Sequence, residues 1–504
     1  MLPAWPFWNR NGDRRFLSCE CLPVRDKKMH KIGRLLPASL AAGLIAGALA
    51  AAPARAQDDN RAVTGGPAGG PSGPASPPAP PAKTEAIDPP PVEHLFGDWG
   101  GMQPTLESMG INLQIEAVSE FAANVSGGTH EASSFANQIG IQNDINWERL
   151  AGITGLSTHV IIVNRSGSSA SHSFGDNLLP AQEIYGAGGN VVAHLVSAYA
   201  QETLLGGRLD LAGGRMNVEN DFASSPLYCG FMNNVLCGDP KSLPGGDIGH
   251  SAYPDAVWAA RIKVKPVDQT YVTAGVYEVN QGLYNDENFR TGFKFDTSQD
   301  SGFYLPVELG WEPSFGPAGL PGHYKLGMGY DTSSGYKDFG NPLAAAGAPG
   351  YVTRTHTGNV QLWALADQML ARNGTGDKAG LIALAGVIKN DAANTAYADQ
   401  YFLGLLDQGF WAARPNDAVG LLATYVGVSG HLGEAEAAEL VDGVPLPSNA
   451  TGVQSHEMVL EANYNIQVTR GLNFQPDFQY VVRPNGQANI PDAAVLGFRA
   501  RVEF

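Results

Sequence analysis

The chain has 504 residues, of which only 16% are charged, and it carries a formal net charge of −17. This acidic balance argues against a nucleic-acid partner, because binding to phosphates needs a basic surface. The hydrophobic content of 43% does not suggest disorder; together with the low charge it fits a protein whose outer surface faces an apolar medium.

The first predicted element is an export signal at 29–56. A basic stretch at 31–34 follows Met29, an apolar run follows at 35–52, and an Ala-Arg-Ala cleavage motif occupies 54–56. This three-part pattern is typical of a secretory signal peptide, and the small-residue motif disfavours a membrane anchor. Residues 1–28 are then interpreted as an over-extended N-terminus upstream of the true start.

Residues 57–93 are dominated by Pro, Ala and Gly and predict a disordered linker, because such a composition cannot bury a core. The folded domain is predicted to span 94–504. No window in it approaches the roughly 18 apolar residues of a membrane-spanning helix. If this domain lies in a membrane, it must do so as a β-barrel.

Most of the domain alternates between apolar and polar residues with a period of two, which predicts strands with one apolar and one polar face. The alternating segments begin near 111, 139, 258, 324, 457, 472 and 494. Between about 360 and 430 the alternation gives way to Leu, Ala and Gly runs, and no register is assigned there.

Four cysteines divide into two pairs. Cys19 and Cys21 precede the signal and are expected to be lost with it, whereas Cys229 and Cys237 remain in the exported domain. In an oxidising compartment a disulfide between these two is the natural interpretation, with two free thiols as the alternative. A metal site made by two cysteines alone is less favoured.

A soluble β-sandwich would also alternate, but three features favour a transmembrane barrel. The segments reach about 9–12 residues, as a tilted membrane-crossing strand requires. Tyr324, Tyr330 and Tyr480 lie near the ends of apolar faces, where an aromatic girdle is expected. Short turns contrast with long connections at 221–250 and 331–356. The fold class predicted is an all-β, antiparallel, up-and-down transmembrane barrel of about 16 strands.

Three sequence blocks resemble a known family. The first is Leu-Phe-Gly-Asp-Trp-Gly-Gly at 95–101, the second runs from Ala212 through Arg215 to Cys229, and the third comprises 475–484 and 493–504. They are similar to the entry motif, the long-loop region and the final strands of the carbohydrate-selective (OprB-type) porins. The family often has an arginine shortly after the first motif, where this chain has Met102 and Gln103, so an arginine contribution from that position is in doubt.

The resemblance implies a sixteen-stranded barrel in the outer membrane of a Gram-negative cell, with inward-folded loops that narrow the channel. It implies passive diffusion of glucose and other small sugars. It also implies that the terminal aromatic Phe504 is part of the signal that the barrel-assembly machinery reads. The expected partners are therefore small sugars, outer-membrane lipid and that machinery, with no nucleic acid; the oligomeric state is left open.

A sugar pore needs hydrogen-bonding groups in its lumen that bind only weakly. Arg215 is the first candidate for the constriction, because its fork of donors suits hydroxyl groups; the alternative is a structural arginine that holds the loop to the wall. Asn217 and Asp221 could have either role. For each remaining candidate, a merely solvated wall position is the alternative. These candidates are Arg261, Lys263, Glu457, Glu461, Asp477, Arg499 and Arg501.

Signatures of an enzyme are weak. His130-Glu131 and His456-Glu457 lack the second histidine of a zinc peptidase, and no phosphate-binding loop is found. No catalytic residue, metal or cofactor is predicted. The alternatives that remain open are a general diffusion porin or envelope-anchoring barrel, and an exported soluble β-rich protein that binds or cleaves glycans.

Overall fold

The computed structural model describes residues 94–185, 189–285, 291–373, 379–446 and 450–504. The predicted leader and linker, at 1–93, lie outside the described residues. None of the described helices has the length and hydropathy needed to cross a membrane.

The described chain is dominated by β-strands that pair antiparallel with their neighbours along the sequence. β9 has only two residues and pairs with the beginning of β10. The other sixteen strands form one sheet, which closes because β1 pairs with both β2 and β17. This confirms the predicted barrel. The strands are β1 Ile111–Ser126, β2 Ala132–Asn146, β3 Leu156–Gly167, β4 Val191–Leu204, β5 Leu209–Met216, β6 Val257–Val267, β7 Thr270–Asn280, β8 Asp300–Trp311, β9 Ser314–Phe315, β10 Leu320–Lys337, β11 Thr355–Ala371, β12 Gly380–Asn390, β13 Tyr397–Gln408, β14 Ala418–Val428, β15 His456–Thr469, β16 Leu472–Val482 and β17 Ala493–Glu503.

The described helices are short and lie in the connections. They are α1 Met102–Ser108, α2 Trp147–Ala151, α3 Ser171–Phe174, α4 Ser242–Gly246, α5 Gly282–Asn285, α6 Pro342–Ala345 and α7 Gly430–Asp442. α7, with 13 residues, is longer than the other six. It begins at Ser429, whose side chain accepts a hydrogen bond from the Leu432 N–H, as a helix N-cap does.

The two ends of the barrel differ. At one end, here called the base, β1 begins, β17 ends and the connections between strands are short; residues 205–208, 268–269 and 470–471 are examples. At the other end, here called the mouth, long loops occupy 168–190, 217–256, 281–299, 338–354 and 429–455. The long connection predicted at 331–356 is shorter, because β10 continues to Lys337.

Two mouth loops fold into the lumen. The β3–β4 loop (168–190) and the β5–β6 loop (217–256) bring buried apolar side chains into one core with the inner faces of several strands. Against the β5–β6 loop, β11–β14 present an inner face that is itself apolar, lined by Trp363, Leu384, Phe402, Leu406 and Leu422. Tyr228 and Phe402 meet edge to face, with ring centroids 5.6 Å apart.

This packing explains the region at 360–430 where sequence alternation failed. Leu403, Leu405 and Leu421 point outward and are exposed on the barrel surface, while their neighbours Leu406 and Leu422 are buried inside. Both faces of these strands are apolar, because one faces outward and the other faces the loop. A strand covered on both faces becomes a continuous hydrophobic run.

Candidate functional site

The lumen has two unlike sides. The inner face of β11–β14 is largely apolar, with a few polar residues such as Gln361 and Gln400, and is filled by the β5–β6 loop. The inner faces of β17, β1, β5, β6 and β10 carry charged groups. Polar groups must stay near water or a partner, so this second side is where a water-filled path can run.

The seam where the barrel closes is a ladder of ion pairs. Glu120 on β1 lies directly opposite Arg499 on β17, and Arg499 Nε donates to Glu120 Oε1 at 2.8 Å. Arg501 Nε donates to Glu116 Oε2 at 2.7 Å. Four charges from the first and last strands therefore neutralise one another across the closing pair of strands.

Arg499 also holds the β5–β6 loop. Its Nη1 donates to the carbonyl oxygen of Cys229 at 2.8 Å and its Nη2 to that of Phe231 at 2.9 Å. In the structure Cys229 is joined to Cys237 by a disulfide, which fixes this turn of the loop. One arginine thus connects the wall, the closing seam and the inward-folded loop.

A second charged group is built on β5 and β6. Arg261 forms ion pairs with Asp210 and, at 2.9 Å, with Asp221, whose other oxygen accepts a hydrogen bond from Tyr277 OH at 3.1 Å. Lys263 Nζ lies 4.1 Å from the centroid of the Tyr271 ring. Asp221 comes from the β5–β6 loop, so this group also ties the loop to the wall.

Three predicted lumen carboxylates are buried beneath the loops. Glu461 accepts hydrogen bonds from the backbone N–H groups of Met232 and Asn233. Asp477 accepts from Gln479 Nε2 at 2.8 Å. Glu457 faces Asp176 of the β3–β4 loop. These groups face inward but are buried instead of bordering open water, and Glu461 fastens the β5–β6 loop through its backbone.

Asp176 shows the electrostatic cost of that arrangement. Its Oδ1 accepts hydrogen bonds from the N–H groups of Leu178 and Asn485, which lower its pKa, but complete burial outweighs them. Burial raises the pKa of Asp176 to about 6. Around neutral pH the attachment of the β3–β4 loop therefore contains a carboxyl group that can change charge.

Arg215 requires a correction. Asp210 and Ala212, at even-numbered positions of β5, point inward. Arg215 is at an odd-numbered position, so its side chain lies on the opposite face, and it pairs with the outward-facing Trp258. The constriction role expected for Arg215 is therefore wrong, because alternation along β5 turns the side chain away from the lumen.

Arg215 nevertheless has a structural setting. It lies 3.7 Å from Glu278, donates to the carbonyl oxygen of Ala256, and is within 5.8 Å of the Phe295 ring centroid. These contacts of Arg215 connect the mouth ends of β5, β6 and β7 on the outer side of the barrel wall. The alternative role, an arginine that joins a loop end to the wall, is the one compatible with this position.

Asn217 is buried at the beginning of the β5–β6 loop. Its Oδ1 accepts a hydrogen bond from the Asn220 N–H at 3.2 Å and so caps the short 3-10 turn Val218–Asn220. This is a local role in the backbone conformation at the beginning of the loop.

Several polar groups of the site were not singled out from the sequence. Glu116 and Glu120 stand on the polar face of β1, and pairing of the first strand with the last would have connected them to Arg501 and Arg499. Asp210 could have been matched to Arg261 in the same way. Glu183 lies in the β3–β4 loop, and no sequence pattern marks it.

No group of three or more His, Cys, Asp or Glu side chains within the described ranges is arranged to hold a metal ion. The polar side of the lumen thus consists of charge pairs and hydrogen-bonding groups. Such an arrangement can hold a polar solute briefly through its hydroxyl groups and release it.

Comparison with known proteins agrees with the barrel fold. The family model described as "Carbohydrate-selective porin, OprB family" matches residues 130–504. The chain is 29% identical to "Putative porin QuiX" of Acinetobacter baylyi over 424 residues, covering 81% of this chain and 93% of that protein. It is 28% identical to "Porin B" of Pseudomonas aeruginosa, covering 81% and 91%.

A solved structure gives the same result. The high-pH structure of Pseudomonas putida OprB superimposes with a TM-score of 0.74 at 26% identity, covering 82% of this chain and 99% of that one. The barrel and the relatives together indicate a channel of the Gram-negative outer membrane rather than an enzyme. The chain belongs to the OprB family of carbohydrate-selective porins.

Proposed function

We propose that this porin lets glucose and other small neutral sugars diffuse passively across the outer membrane. The observation that carries the proposal is the charged side of the lumen, where Arg499, Arg501 and Arg261 are paired with carboxylates rather than left open. Paired charges offer donors and acceptors to hydroxyl groups without forming a tight site for one charged solute.

The partial exposure of Arg501 and Lys263 supports a path along this side. The Arg501 side chain is 27% exposed and Lys263 and Cys229 are half-buried, whereas the Arg499, Asp221 and Arg261 side chains are buried. The apolar side is sealed by Phe231 and its neighbours. A solute would therefore pass the closing seam and the disulfide of the β5–β6 loop. Under this proposal Arg501 and Lys263 border the path. Arg499, Asp221 and Arg261 lie buried behind it in ion pairs, and Glu461 holds the β5–β6 loop that narrows it.

Swelling of proteoliposomes tests the function. Purified protein in liposomes should admit glucose faster than a disaccharide, and faster than a zwitterionic amino acid of similar size. Swelling should need no ion gradient or energy source, and liposomes without protein give the baseline. Equal rates for sugars and non-sugars of one size would leave a general diffusion porin as the better description.

We also propose that 29–56 is removed on export and that 57–93 forms a linker at the base of the barrel. In an outer-membrane barrel the short turns face the periplasm, so the linker would begin on that side. Mass spectrometry of the mature protein checks the cleavage after residue 56. An N-terminus at residue 1 or 29 in the membrane fraction would contradict it.

The last residue is proposed to act in assembly. The Phe504 N–H continues the ladder to the carbonyl oxygen of Ile115 at 2.9 Å, and its ring lies 5.6 Å from that of Phe96. Deletion of Phe504 should reduce the amount of folded protein in the outer membrane severalfold while conductance per assembled channel stays as in the wild type. Deletion of the exposed residue Val444, in the mouth loop at 429–455, serves as the control. Normal yield without Phe504 would contradict this role.

A further inference from the structure

The β3–β4 loop carries one carboxylate, Glu183, toward the closing seam. Its two neighbours are held by the same wall residue, because Gln182 Nε2 donates to the carbonyl oxygen of Glu120 at 3.0 Å and the Ile184 N–H donates to Glu120 Oε2 at 3.2 Å. The Gln182 side chain on one side of Glu183 and the Ile184 backbone on the other are therefore both fixed to β1. The Glu183 side chain therefore extends from a part of the loop whose position is fixed by these contacts.

The Glu183 side chain lies between the disulfide and the seam. One carboxylate oxygen is 4.0 Å from Arg499 Nη2, and the other is 3.5 Å from Cys237 Sγ, which has no hydrogen to donate because it is oxidised. The side chain is 15% exposed, more than the 8% of Arg499 and less than the 27% of Arg501. Glu183 thus lies where the charged side of the lumen changes from buried to partly exposed.

The neighbouring charges distinguish Glu183 from the two seam carboxylates, Glu116 and Glu120. Arg499 is already paired with Glu120 at 2.8 Å, and Arg501 is paired with Glu116. The carboxylate of Glu183, at 4.0 Å, is the weaker and more distant partner of Arg499. It adds negative charge to a seam whose arginines are already neutralised, at a place where low-dielectric loop and wall surround it. Such a setting strengthens the field that a permeating ion meets.

We propose that Glu183 is a specificity-determining residue that makes this pore disfavour anionic solutes, so that neutral sugars pass in preference to sugar acids. The inference rests on the proposed sugar-diffusion function and adds the excluded class of solute. A negative group on the loop side repels a carboxylate-bearing sugar as it passes the disulfide. A neutral sugar meets only hydrogen-bonding groups.

The test uses the full-length protein in planar bilayers and in liposomes. In a KCl gradient the wild type should show a reversal potential that reports preference for K⁺. Glu183→Gln should lower the cation-to-anion permeability ratio about threefold, the order expected for removing one partly screened unit charge. The ratio of gluconate to glucose entry should rise by a similar factor. Glu183→Asp should retain most of the wild-type selectivity.

The control is Glu434→Gln, which removes an exposed carboxylate from α7 at the mouth and should leave both ratios unchanged. Heat-modifiable migration on a gel verifies that each variant is folded. Unchanged reversal potential and unchanged gluconate-to-glucose ratio in folded Glu183→Gln would overturn the inference. If the wild type fails to admit glucose, the sugar function fails, while the KCl measurement still tests the charge role of Glu183.

Discussion

The two sides of the lumen hold the same loop with different balances of contacts. On β11–β14 the β5–β6 loop packs through apolar contacts such as Tyr228 with Phe402. These contacts are supplemented by hydrogen bonds such as that from Gln400 Nε2 to the carbonyl oxygen of Val235. On the seam side the loop is held by hydrogen bonds from Arg499 to the carbonyl oxygens of Cys229 and Phe231. The first side buries a large apolar core, whereas the second fixes the loop through charged and polar groups.

The comparison shows how a wide barrel becomes a narrow pore. A sixteen-stranded sheet encloses more space than its own side chains can fill. Filling one side with a loop core reduces the opening to the other side. Under the proposed function, a solute meets mainly the charged side, whose ion pairs also stabilise the barrel and its loop.

The largest expected effect comes from breaking the apolar side. Phe231→Asp would bury a carboxylate among apolar residues, which costs several kcal/mol unless the loop moves away. We expect the loop to detach and single-channel conductance to rise severalfold. Tyr351→Asp, at an exposed position in the 338–354 loop, is the matched control. Wild-type conductance in folded Phe231→Asp would show that this side does not position the loop.

Breaking the polar side should lower stability more than it changes pore size. Arg499→Gln leaves the fully buried Glu120 without its partner at 2.8 Å, a change that typically costs ~3–5 kcal/mol. The measurement is the temperature at which the folded gel band disappears. The double variant with Glu120→Gln should recover part of the loss. Arg208→Gln, which breaks an exposed pair with Asp268, should cost ~0–1 kcal/mol.

A smaller effect should follow pH at the β3–β4 loop. Burial raises the pKa of Asp176 from 3.8 to about 6, so its contribution to stability is complete below pH 3.8 and is lost as the pH rises through about 6. A hydrogen bond from the Glu457 side chain lowers the Asp176 pKa, but it does not offset the effect of burial. Proteolytic cleavage within 171–182 should therefore be faster at pH 7.5 than at pH 4. If proteases lose activity at one of these pH values, amide hydrogen exchange of the same segment is the measurement.

Asp176→Asn keeps an acceptor for the Leu178 N–H but cannot ionise. The variant should lose most of this pH dependence and resemble the acidic wild type at pH 7.5. Asp268→Asn, at an exposed turn of the base, should leave the pH dependence as in the wild type. An equal pH response in Asp176→Asn and wild type would assign the effect to other groups.

The smallest effect on transport is expected from Arg215→Ala. Because this side chain lies on the outer side of the wall, conductance and sugar entry should stay as in the wild type. Loss of its contacts with Glu278 and the Ala256 carbonyl should instead loosen the mouth ends of β5 to β7, which hydrogen exchange can detect. A changed conductance would show that Arg215 does reach the path.

Alternation predicts the strands and places Arg261, Lys263, Arg499 and Arg501 on one polar face, while strand length, aromatic positions and loop lengths distinguish the barrel from a sandwich. Alternation fails at 360–430, because both faces of those strands are largely apolar. It does not locate Arg215, since this residue stands at the end of β5 beside a loop motif, where the sequence shows no clear alternation. Glu183 could not be predicted, because its position depends on loop contacts to Glu120 made far away in the sequence.

The closing seam also has a consequence for how the barrel is completed. A shift of one residue between β1 and β17 would turn Arg499 and Arg501 toward lipid, at ~2–4 kcal/mol for each near the middle of the bilayer. A shift of two residues keeps them inside but moves Arg499 about 7 Å from the carbonyl oxygens of the β5–β6 loop. A misaligned last strand would therefore lose free energy either by exposing arginines to lipid or by losing its contacts with the β5–β6 loop.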